Sequence, residues 1–600
     1  MNNPKATLVH VTHEAVGKIG GIGAVLEGFF TSKAYLEAVG RTILVSPLFS
    51  CEGPVSSRCG EDGEVFYSSI DGMVNSGYAN HFRKIEEQFN VSLVYGRRTF
   101  IDKRTGITSS PEVILVDVSR MDKEPVNDFK RRLFEEFGIR SDLHEHLWEF
   151  EQYMRLALPA IAAVKAVNCC DHGCQTVVVS HEFMGMPTVL AAIMDKSTNF
   201  KTVFHAHEVA TMRQIVEKHP GHDTMFYNAM KQAHFEERYV TDVFGDQNGY
   251  FKHCLVDAAK YCDVIWAVGD YVRDELHFLA QEFEAVDIDL VYNGIPAFEI
   301  TLDEKKASKE KLRKYCGNML GYKPDYVFTH VTRLVPSKGL WRDLRVLEHV
   351  DREFRAVNKT AVMLLLTTET GKRRRREILD MESGYNWPVA HREGLPDLSG
   401  GEAAFYAAIQ EFNTKSRNVK VVFVNQFGFC QEACGLRMPE DMEFMDIRKG
   451  SDVEFGQSIY EPFGIAQVEP LSFGSICVVT NVCGCAGFVR DVTGGNAVRN
   501  VIEADYTNLC ELGLCEVEDI LAINRKSRDY IEKIVSEKVA LEICSRLPKT
   551  EAEVEEMVKA GYDLAKHMSW DVVVENYMLK SLRKALSKQR YRGPVYAIAG

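Results

Sequence analysis

YVFTHVTRLVPSKGLWRDLRVLEHV, residues 326–350, contains the pattern that decides the fold. Its first nine residues are rich in β-branched and aromatic side chains, which is typical of a strand. From residue 340 onward, apolar side chains recur three and four positions apart, which is typical of an amphipathic helix. A buried strand followed directly by such a helix indicates a parallel sheet that is covered on both faces.

The same alternation of strand and helix extends along the chain in both directions. Further strands are predicted at residues 6–12, 41–49, 176–182, 201–208, 263–269, 288–294, 360–368, 419–427 and 475–481. A helix is predicted over 22–40, and an amphipathic helix over 570–586. The sequence therefore predicts an α/β protein with two Rossmann-like, doubly wound domains.

Residues 299–325 are predicted to separate the two domains. They are highly charged, contain no strand pattern and follow a turn signal at 293–296. We predict an N-terminal domain over 1–298, a linker over 299–325 and a C-terminal domain over 326–565. The segment 566–600 is predicted to be a helix that packs back on the N-terminal domain. Doubly wound sheets bind ligands at the carboxyl ends of their strands, so two facing sheets would form an interdomain cleft.

Composition excludes several classes of protein. The chain has 600 residues, of which 46% are hydrophobic and 26% charged, as in ordinary globular proteins. A net charge of −14 argues against a general nucleic-acid binder, which needs a basic surface. We find no apolar run of the length that a membrane helix needs and no signal peptide, so we expect a cytoplasmic protein. The sixteen cysteines include no C-x-x-C pair, which favours reduced thiols over a zinc ribbon.

A glycine-rich turn, GKIGGIG at 17–23, lies between the first predicted strand and helix. Glycine lets the backbone approach a ligand closely, and a helix N-terminus offers N–H groups to an anion. Lys18 adds a positive charge, which makes Lys18, Gly20 and Gly21 candidate donor-binding residues. The spacing matches neither a P-loop nor G-x-G-x-x-G, and a merely tight turn is the alternative.

Histidines and glutamates end two of the predicted strands. His181 and Glu182 end the strand at 176–182, and His205 and His207 end the strand at 201–208. Polar groups at the carboxyl ends of strands are expected to face a ligand, although buried structural histidines are the alternative. We expect His205 and His207 to point to opposite sides of their segment, and therefore we predict no metal site.

Two cations lie five residues apart in the stretch that decides the fold. Arg333 and Lys338 flank a turn that Pro336 fixes, and Ser337 could cap the following helix. Arginine can hold phosphate oxygens as a bidentate fork, and lysine binds them as a point charge. The pair is therefore a candidate diphosphate site, with two solvated surface cations as the alternative.

The motif YEPFGIAQVE at 460–469 carries two glutamates. Glu461 precedes a proline that favours the first turn of a helix, and Glu469 would lie about 12 Å further along that helix. The two carboxylates could hold the two ends of a nucleotide-sugar, although two surface glutamates are the alternative. The loop Cys483-Gly484-Cys485 follows, and its N–H groups could bind an anion.

Two further charged motifs are predicted to carry no chemistry. The basic run Lys372–Arg376 is interpreted as a solvated turn or helix start, with a site for an anionic effector as the alternative. The pair Asp287 and Asp289 is interpreted as a chance match to a D-x-D metal motif.

Taken in order, the motifs resemble those of the glycogen and starch synthases, which are retaining glycosyltransferases of the GT-B fold. The resemblance covers roughly residues 5–590. The matching positions are Lys18-Ile19-Gly20-Gly21-Ile22 for K-x-G-G-[LI], His181 for H-[DE]-[WF], Arg333 and Lys338 for the diphosphate-binding pair, Glu461 for E-P-x-G with Glu469 as the second glutamate, and Ser569-Trp570-Asp571 near the end. Further details resemble the animal and fungal branch, which uses UDP-glucose, whereas most bacterial and plant members use ADP-glucose.

The resemblance implies transfer of glucose from UDP-glucose or ADP-glucose to the non-reducing end of an α-1,4-glucan, with retention. It implies catalytic roles for Glu461, Arg333, Lys338 and His181. The implied donor-binding residues are Lys18, Gly20, Gly21, Arg333, Lys338, Phe463, Gly464 and Glu469. Glu182, His205 and His207 are implied contacts of the acceptor or sugar. No cofactor, metal, nucleic acid or membrane partner is expected, and a homo-oligomer stays open.

The chain departs from the family pattern at three places. Pro470 directly follows Glu469 and is predicted to kink or end the helix. Cys483-Gly484-Cys485 replaces a T-G-G-like loop, and residues 550–590 lack the arginine cluster that binds glucose 6-phosphate in the animal and fungal branch.

Other functions stay open at this point. A retaining GT-B transferase that makes a small glycoside would share Lys18, Arg333, Lys338 and Glu461. A catalytically silent glucan-binding relative is a second alternative. A glycan phosphorylase would need a lysine that holds pyridoxal phosphate, and the sequence identifies none.

Overall fold

The computed structural model describes residues 5–18, 20–75, 77–168, 175–509, 512–514 and 516–589. Ile19 of the first glycine-rich motif and residues 590–600 of the predicted C-terminal segment lie outside the described residues. The chain divides into two compact units. The first unit takes Met1–Met212, Glu237–Gly294 and Trp570–Gly600, and the second takes Arg213–Glu236 and Ile295–Ser569.

The described part of the first unit is built on a nine-stranded sheet. The strands of this unit are β1 (Thr7–Val11), β2 (Arg41–Pro47), β3 (Glu64–Ser68), β4 (Ser92–Arg97), β5 (Phe100–Ile101), β6 (Thr108–Ser109), β7 (Glu112–Asp117), β8 (Thr176–His181), β9 (Lys201–Ala206), β10 (Val264–Ala267) and β11 (Ile288–Leu290). Strands β5 and β6 form a separate two-stranded ribbon, and the other nine form the sheet. The order in the sheet is β11-β10-β9-β8-β1-β2-β7-β4-β3. The strands from β11 to β7 are parallel, whereas β4 pairs antiparallel with both β7 and β3.

The second unit carries a six-stranded sheet in which every described pair is parallel. Its strands are β12 (Tyr326–Val331), β13 (Ala361–Leu366), β14 (Val419–Val424), β15 (Val453–Gly456), β16 (Ile476–Thr480) and β17 (Val501–Ala504). The order β14-β13-β12-β15-β16-β17 is that of a Rossmann sheet, in which strand order reverses between the first and fourth strands. The first sheet has the same kind of reversal between β1 and β8.

Helices follow most of the strands. In the first half of the chain they are α1 (Gly21–Phe30), α2 (Lys33–Ala38), α3 (Ala79–Phe89), α4 (Lys123–Phe137), α5 (Trp148–Asn168), α6 (Glu182–Met194), α7 (Ala210–Lys218), α8 (His222–Phe235), α9 (Val240–Phe244), α10 (Phe251–Asp257) and α11 (Asp270–Leu279). In the second half they are α12 (Leu302–Leu320), α13 (Leu340–Val357), α14 (Arg375–Tyr385), α15 (Gly401–Lys415), α16 (Gln431–Cys434), α17 (Phe444–Gly450), α18 (Ile465–Val468), α19 (Gly484–Thr493), α20 (Val517–Leu521), α21 (Arg525–Arg546), α22 (Glu551–His567), α23 (Trp570–Val573) and α24 (Leu579–Ser587). Among the described helices, none combines the length and the apolar character required to cross a membrane.

The predicted α/β class with two doubly wound sheets is confirmed by the strand orders and by the core. Side chains of β12 alternate between two apolar clusters: Tyr326 and Phe328 belong to one, and Val327 to the other. Such alternation shows that both faces of the second sheet are covered. The helix predicted over 22–40 is divided into α1 and α2, because the Ser32 side chain accepts a hydrogen bond from Tyr35 N and caps α2.

The predicted linker over 299–325 is wrong, because most of this segment is helix α12 of the second unit. The helix starts with a capping box between Thr301 and Glu304. It buries Leu312, Tyr315 and Cys316 in an apolar cluster against the sheet. The charged residues that suggested a linker occupy the rest of the helix surface, while a buried stripe at helical spacing holds the segment in place.

The predicted domain limits also need correction. The chain leaves the first unit at Gly294, and Arg213–Glu236, which was predicted to lie in the N-terminal domain, belongs to the second unit. The helices from Trp570 onward belong to the first unit. There Lys584 pairs with Asp287 and Asp289, which accounts for the D-x-D match without a metal.

The basic run at 372–376 contains one residue that is not solvated. Arg373 is buried, and its guanidinium donates to Glu402 Oε2 at 2.6 Å and to the carbonyl oxygen of Pro396 at 2.7 Å. The prediction of a solvated turn therefore fails at Arg373, because the polar groups around it replace water.

A buried ion cluster holds the segment Arg213–Glu236 in the second unit. The Arg342 guanidinium on α13 donates two hydrogen bonds to the Asp223 carboxylate, at 2.9 and 2.6 Å. Its Nε donates to Glu532 Oε1 at 2.9 Å, and it lies 3.9 Å from the centre of the Tyr506 ring. The side chains of Arg342, Asp223 and Glu532 have no exposed surface. Each charge therefore depends on the others for solvation.

We expect Arg342→Met to destabilise the protein by about 3–5 kcal/mol, because it leaves the buried Asp223 carboxylate without its cation and removes one of the arginines that pair with Glu532. Urea unfolding followed by far-UV circular dichroism measures the change. Arg352→Met on the same helix is the matched control. Arg352 is exposed and pairs with Glu537, so its loss should cost less than about 1 kcal/mol. Equal losses in the two variants would contradict this role of Arg342.

Candidate functional site

The candidate site of the second unit lies where its strand order reverses. The loop after β12 carries Lys338, and the loop after β15 carries Glu461. Two hydrogen bonds connect these loops: in the loop after β15, the N–H groups of Ile459 and Tyr460 donate to the carbonyl oxygen of Ser337 in the loop after β12, at 2.8 and 3.4 Å. Doubly wound sheets bind ligands in the crevice at such a reversal.

An ion pair between Lys338 and Glu461 forms the centre of this site. Lys338 Nζ donates to Glu461 Oε2, and only 12% of each side chain is exposed. The same oxygen accepts hydrogen bonds from Ser458 Oγ at 3.2 Å and from Gln467 Nε2 at 3.1 Å. In the part of the chain that the structure describes, no hydrogen bond reaches Oε1. One oxygen is therefore held by the protein and the other is available to a ligand.

The Glu461 carboxylate is ionised despite its burial. Burial raises the pKa of Glu461, but the charge and hydrogen bond of Lys338 lower it. The charge of Arg213 and the hydrogen bond from Ser458 lower the pKa further, and the net pKa lies below the ordinary value.

Two glycines shape the backbone around Glu461. Gly464 has φ +91° and forms the N-cap of α18, a conformation that side chains disfavour. A Cβ atom on Gly484 would lie 2.0 Å from the carbonyl oxygen of Pro462. The N–H groups of Gly484 and Cys485 donate to the carbonyl oxygens of Glu461 and Phe463. Gly484 and Cys485 belong to the first turn of α19 and not to a loop, and their N–H groups hold the Glu461 segment, which corrects the prediction that they bind an anion.

Arg333 lies in the same loop as Lys338 but is exposed. Among the described residues no hydrogen bond or ion pair involves its guanidinium. The prediction that Ser337 caps the next helix is wrong, because Ser337 is buried and Gly339, with φ +61°, is the N-cap of α13. The loop therefore presents one exposed cation, Arg333, and one partly buried cation, Lys338, which is paired with Glu461.

Glu469 does not join this site. It forms an ion pair with Arg448 Nε at 3.1 Å, and Arg448 is buried and also pairs with Glu454. The predicted helix from Glu461 to Glu469 is absent from the described structure, since α18 contains only Ile465–Val468. The prediction for Pro470 is confirmed, because α18 ends at Val468, two residues before it, and a 3₁₀ helix, Glu469–Phe473, follows.

The sequence interpretation missed three residues of this site: Arg213, Ser458 and Gln467. Arg213 comes from the segment Arg213–Glu236 and lies 5.7 Å from the centre of the Tyr460 ring. No local pattern could identify it, because more than two hundred residues separate it from Glu461. Gln467 lies six residues after Glu461 inside the quoted motif and could have been noticed there.

In the first unit, the glycine-rich turn follows β1 and leads into α1. Gly20 N donates to Glu14 Oε2 at 2.8 Å, and Lys18 Nζ donates to Glu27 Oε2 at 2.8 Å. Nothing lies within 4 Å of the position that a Cβ would occupy on Gly21. An anion at this turn would therefore compete with the Glu14 carboxylate for the N–H group of Gly20 and with the Glu27 carboxylate for the ammonium group of Lys18.

The strand-ending histidines form a buried cluster in the first unit. His181 pairs in register with His205 across β8 and β9, and the ring centres of His205 and His207 are 4.1 Å apart. The expectation that His205 and His207 point to opposite sides is wrong, because residues two apart on a strand share a face. His181 Nδ1 lies 2.9 Å from His207 Nε2, and His181 Nε2 lies 2.9 Å from His10 Nδ1.

These histidines are neutral at physiological pH. Burial lowers the pKa of His10 to about 3, and burial together with the charge of His13 lowers the pKa of His207 to about 3. Burial and neighbouring histidines hold the pKa values of His181 and His205 well below the ordinary range. Neutral imidazoles keep a lone pair on one nitrogen of each ring.

Glu182 begins α6 in a strained conformation. Its φ is +59°, in the left-handed region that non-glycine residues rarely adopt. Its Oε1 accepts a hydrogen bond from Glu208 N at 2.6 Å, which joins the ends of β8 and β9. Strain of this kind concentrates at functional sites, so Glu182 stays a candidate ligand contact.

No protein-family model matches the chain, and no curated protein matches it. Similar solved structures include one described as trehalose-6-phosphate from E. coli bound with UDP-2-fluoro glucose, with 11% identity, a TM-score of 0.48, and 96% of this chain and 99% of that chain covered. The catalytic domain of starch synthase IV from Arabidopsis thaliana, bound to ADP and acarbose, has 13% identity and a TM-score of 0.45, with 93% and 99% covered. Sucrose-phosphate synthase from Thermosynechococcus elongatus has 11% identity and a TM-score of 0.47, with 97% and 99% covered. With identities of 11–13% and TM-scores of 0.45–0.48, these similarities assign no activity to the chain.

We expect Lys338→Met to raise the pKa of Glu461, because burial then acts against a weaker positive field. In the unchanged protein the lowered pKa stabilises the fold above the ordinary value of 4.5, and this contribution is lost as pH falls through the folded-state pKa. With a raised pKa, the buried carboxylate destabilises the fold at neutral pH. The stability deficit of the variant should therefore shrink as pH falls from about 7 to 4.

Urea unfolding at a series of pH values measures this deficit. Lys306→Met removes a lysine that pairs with Glu551 at the surface and is the matched control. A deficit of Lys338→Met that does not change with pH would contradict the coupling between Lys338 and Glu461.

Proposed function

We propose that the chain is a retaining glycosyltransferase of the GT-B type that acts as a glycogen or starch synthase. It would transfer glucose from UDP-glucose or ADP-glucose to the non-reducing end of an α-1,4-glucan. The observation that carries the proposal is the Lys338–Glu461 pair at the reversal of the second sheet, with the exposed Arg333 in the same loop. This arrangement offers cations for a diphosphate and an ionised carboxylate for a sugar.

The cations would act on the leaving group. Cleavage of the bond between a sugar and a diphosphate builds negative charge on the diphosphate as the bond breaks. Arg333 and Lys338 would neutralise that charge, which is where electrostatic stabilisation lowers a barrier most. Because protein cations serve this role, the proposal includes no metal at the diphosphate and no resident cofactor.

The carboxylate would act on the sugar. The transition state of glycosyl transfer has the character of an oxocarbenium ion, with positive charge on the ring. Glu461 is ionised and its Oε1 accepts no hydrogen bond from the described chain, so it could hold sugar hydroxyls or stabilise that charge. Gln467 and Ser458 hold the other oxygen and so orient the group.

The roles of the other predicted residues stay proposals. Phe463 and Gly464 would shape the donor site, whereas the ion pair with Arg448 gives Glu469 a structural role in place of donor binding. Both ring nitrogens of His181 contact other histidines, so a sugar contact from His181 would use its carbonyl oxygen.

The predicted residues of the first unit are retained as contacts. Lys18, Gly20 and Gly21 would bind the donor, and Glu182, His205 and His207 would lie on the acceptor or sugar side. The proposal also keeps the cytoplasmic location, the absence of nucleic-acid and membrane partners, and the open question of a homo-oligomer.

The first experiment measures release of nucleoside diphosphate from UDP-glucose and from ADP-glucose, each with and without glycogen. Release that depends on glycogen with one donor supports a glucan synthase and identifies the donor. Release that requires a small sugar or sugar phosphate in place of glycogen would contradict the glucan acceptor and leave the transferase class intact. Glycogen binding without release would contradict the enzymatic function altogether.

We expect Arg333→Ala and Lys338→Ala each to lower turnover by about 100-fold or more, because each removes charge stabilisation of the leaving group. Glu461→Gln should abolish turnover while nucleotide binding is retained. Arg374→Ala removes an exposed arginine of the second unit that pairs with Glu377, and it should leave turnover unchanged. Turnover and nucleotide affinity are measured for the four variants, and unchanged rates in both cation variants would contradict the diphosphate assignment.

A further inference from the structure

Three histidines of the first unit are arranged as metal ligands are. His181, His205 and His207 each offer a ring nitrogen, and these nitrogens all lie within 4.8 Å of one another. Strand pairing makes His181 and His205 neighbours in register. His207 lies one residue beyond the end of β9, and its ring centre is 4.1 Å from that of His205. Neutral imidazole is the commonest metal ligand of proteins.

A second, independent observation at His205 indicates a site for a bound ion. The residue has no exposed surface, and neither of its ring nitrogens has a hydrogen-bond partner within the described chain. Its ring is enclosed by aromatic groups, with Phe29 stacked at 5.9 Å and Trp266 edge-on at 5.5 Å between ring centres. A buried polar group without a partner costs free energy, and a metal ion would use one of these nitrogens.

The hydrogen bonds of His181 show which nitrogen a metal would use. Tyr35 lies between His10 Nε2, at 3.2 Å, and Thr42 Oγ1, at 2.9 Å. Two opposite sets of donors satisfy this chain, and metal binding would select the set in which His181 Nε2 donates to His10 Nδ1, His10 Nε2 donates to Tyr35, and Tyr35 donates to Thr42. His181 Nδ1 then carries a lone pair that faces His207. An outer partner that fixes the tautomer of a ligating histidine is usual at metal sites.

We propose that His181, His205 and His207 bind one divalent transition-metal ion, with Zn²⁺ as the preferred ion. Zn²⁺ takes imidazole ligands in tetrahedral geometry at about 2.0–2.1 Å, which places ligand nitrogens about 3.4 Å apart. The nitrogens of His181 and His207, now 2.9 Å apart, would separate by about 0.5 Å. The ion would fasten the ends of β8 and β9 and keep a fourth position for water or another ligand. His207 is partly exposed and provides the approach.

The metal site uses three histidines that the proposed function places on the acceptor or sugar side, but the proposed glycosyl transfer itself requires no metal. Its test therefore measures metal binding and not turnover, so that failure of one proposal leaves the other standing.

The experiment titrates the full chain, freed of metal by a chelator, with Co²⁺ as the probe. We expect one equivalent to bind per chain, with the intense visible absorption of tetrahedral cobalt, and Zn²⁺ should displace it. His205→Phe and His207→Gln should each abolish the band at one equivalent of Co²⁺. His10→Phe removes the outer partner and should weaken the affinity by about 10- to 100-fold.

His144→Gln is the matched control, because His144 is also buried in the first unit but contacts Cys254 Sγ, at 3.5 Å, outside the cluster. It should bind Co²⁺ as the unchanged chain does. Absence of stoichiometric binding by the unchanged chain, a measurement that needs no variant to fold, would overturn the site. Retention of the band in both His205→Phe and His207→Gln would place the cobalt elsewhere and would equally overturn it.

Discussion

Parallel strand pairing is the constraint on which both candidate sites depend. Parallel neighbours end at the same edge of a sheet, so the loops that follow them meet there. In the second unit this brings the loops after β12 and β15 together, and the carbonyl oxygen of Ser337 joins them through two N–H groups. In the first unit the same rule places His181 beside His205. Residues more than one hundred positions apart, such as Lys338 and Glu461, become neighbours for this reason.

Much of the fold could be predicted because its strands are continuous apolar runs, as in YVFTHV and AVMLLL. Five strands of the two sheets were missed, namely β3, β4, β7, β15 and β17. Of these, β15 is short and carries Glu454, a charged residue in the middle of a sheet. Glu454 is fully buried and is neutralised by Arg448 at 3.0 Å, a contact that no local pattern reveals. The same limit explains the false linker. The charge of residues 299–325 was visible, whereas the apolar surface against which α12 packs was not.

The candidate site was predictable where chemistry follows a short motif. Lys338 and Glu461 were identified by their motifs, and the structure places the two side chains in direct contact. Glu469 lies in the same motif, yet it pairs with the buried Arg448, which lies outside that motif. The histidine cluster was misjudged for a different reason, since the alternation of side chains along a strand puts residues two apart on one face. Arg213 was out of reach, because only tertiary structure brings it to Tyr460.

Each of the two units is built from more than one segment of the chain, which limits the exchange of a single unit with another protein by recombination. The backbone passes between the two units after Met212, Glu236, Gly294 and Ser569. A fragment of residues 295–569 would keep Arg342 and Glu532 but lose Asp223, which supplies two hydrogen bonds to the guanidinium. It would also lose Thr224, whose hydroxyl donates to the carbonyl oxygen of Tyr506. Recombination at the single junction near residue 294 would therefore join incomplete units, so evolution would tend to transmit the two together.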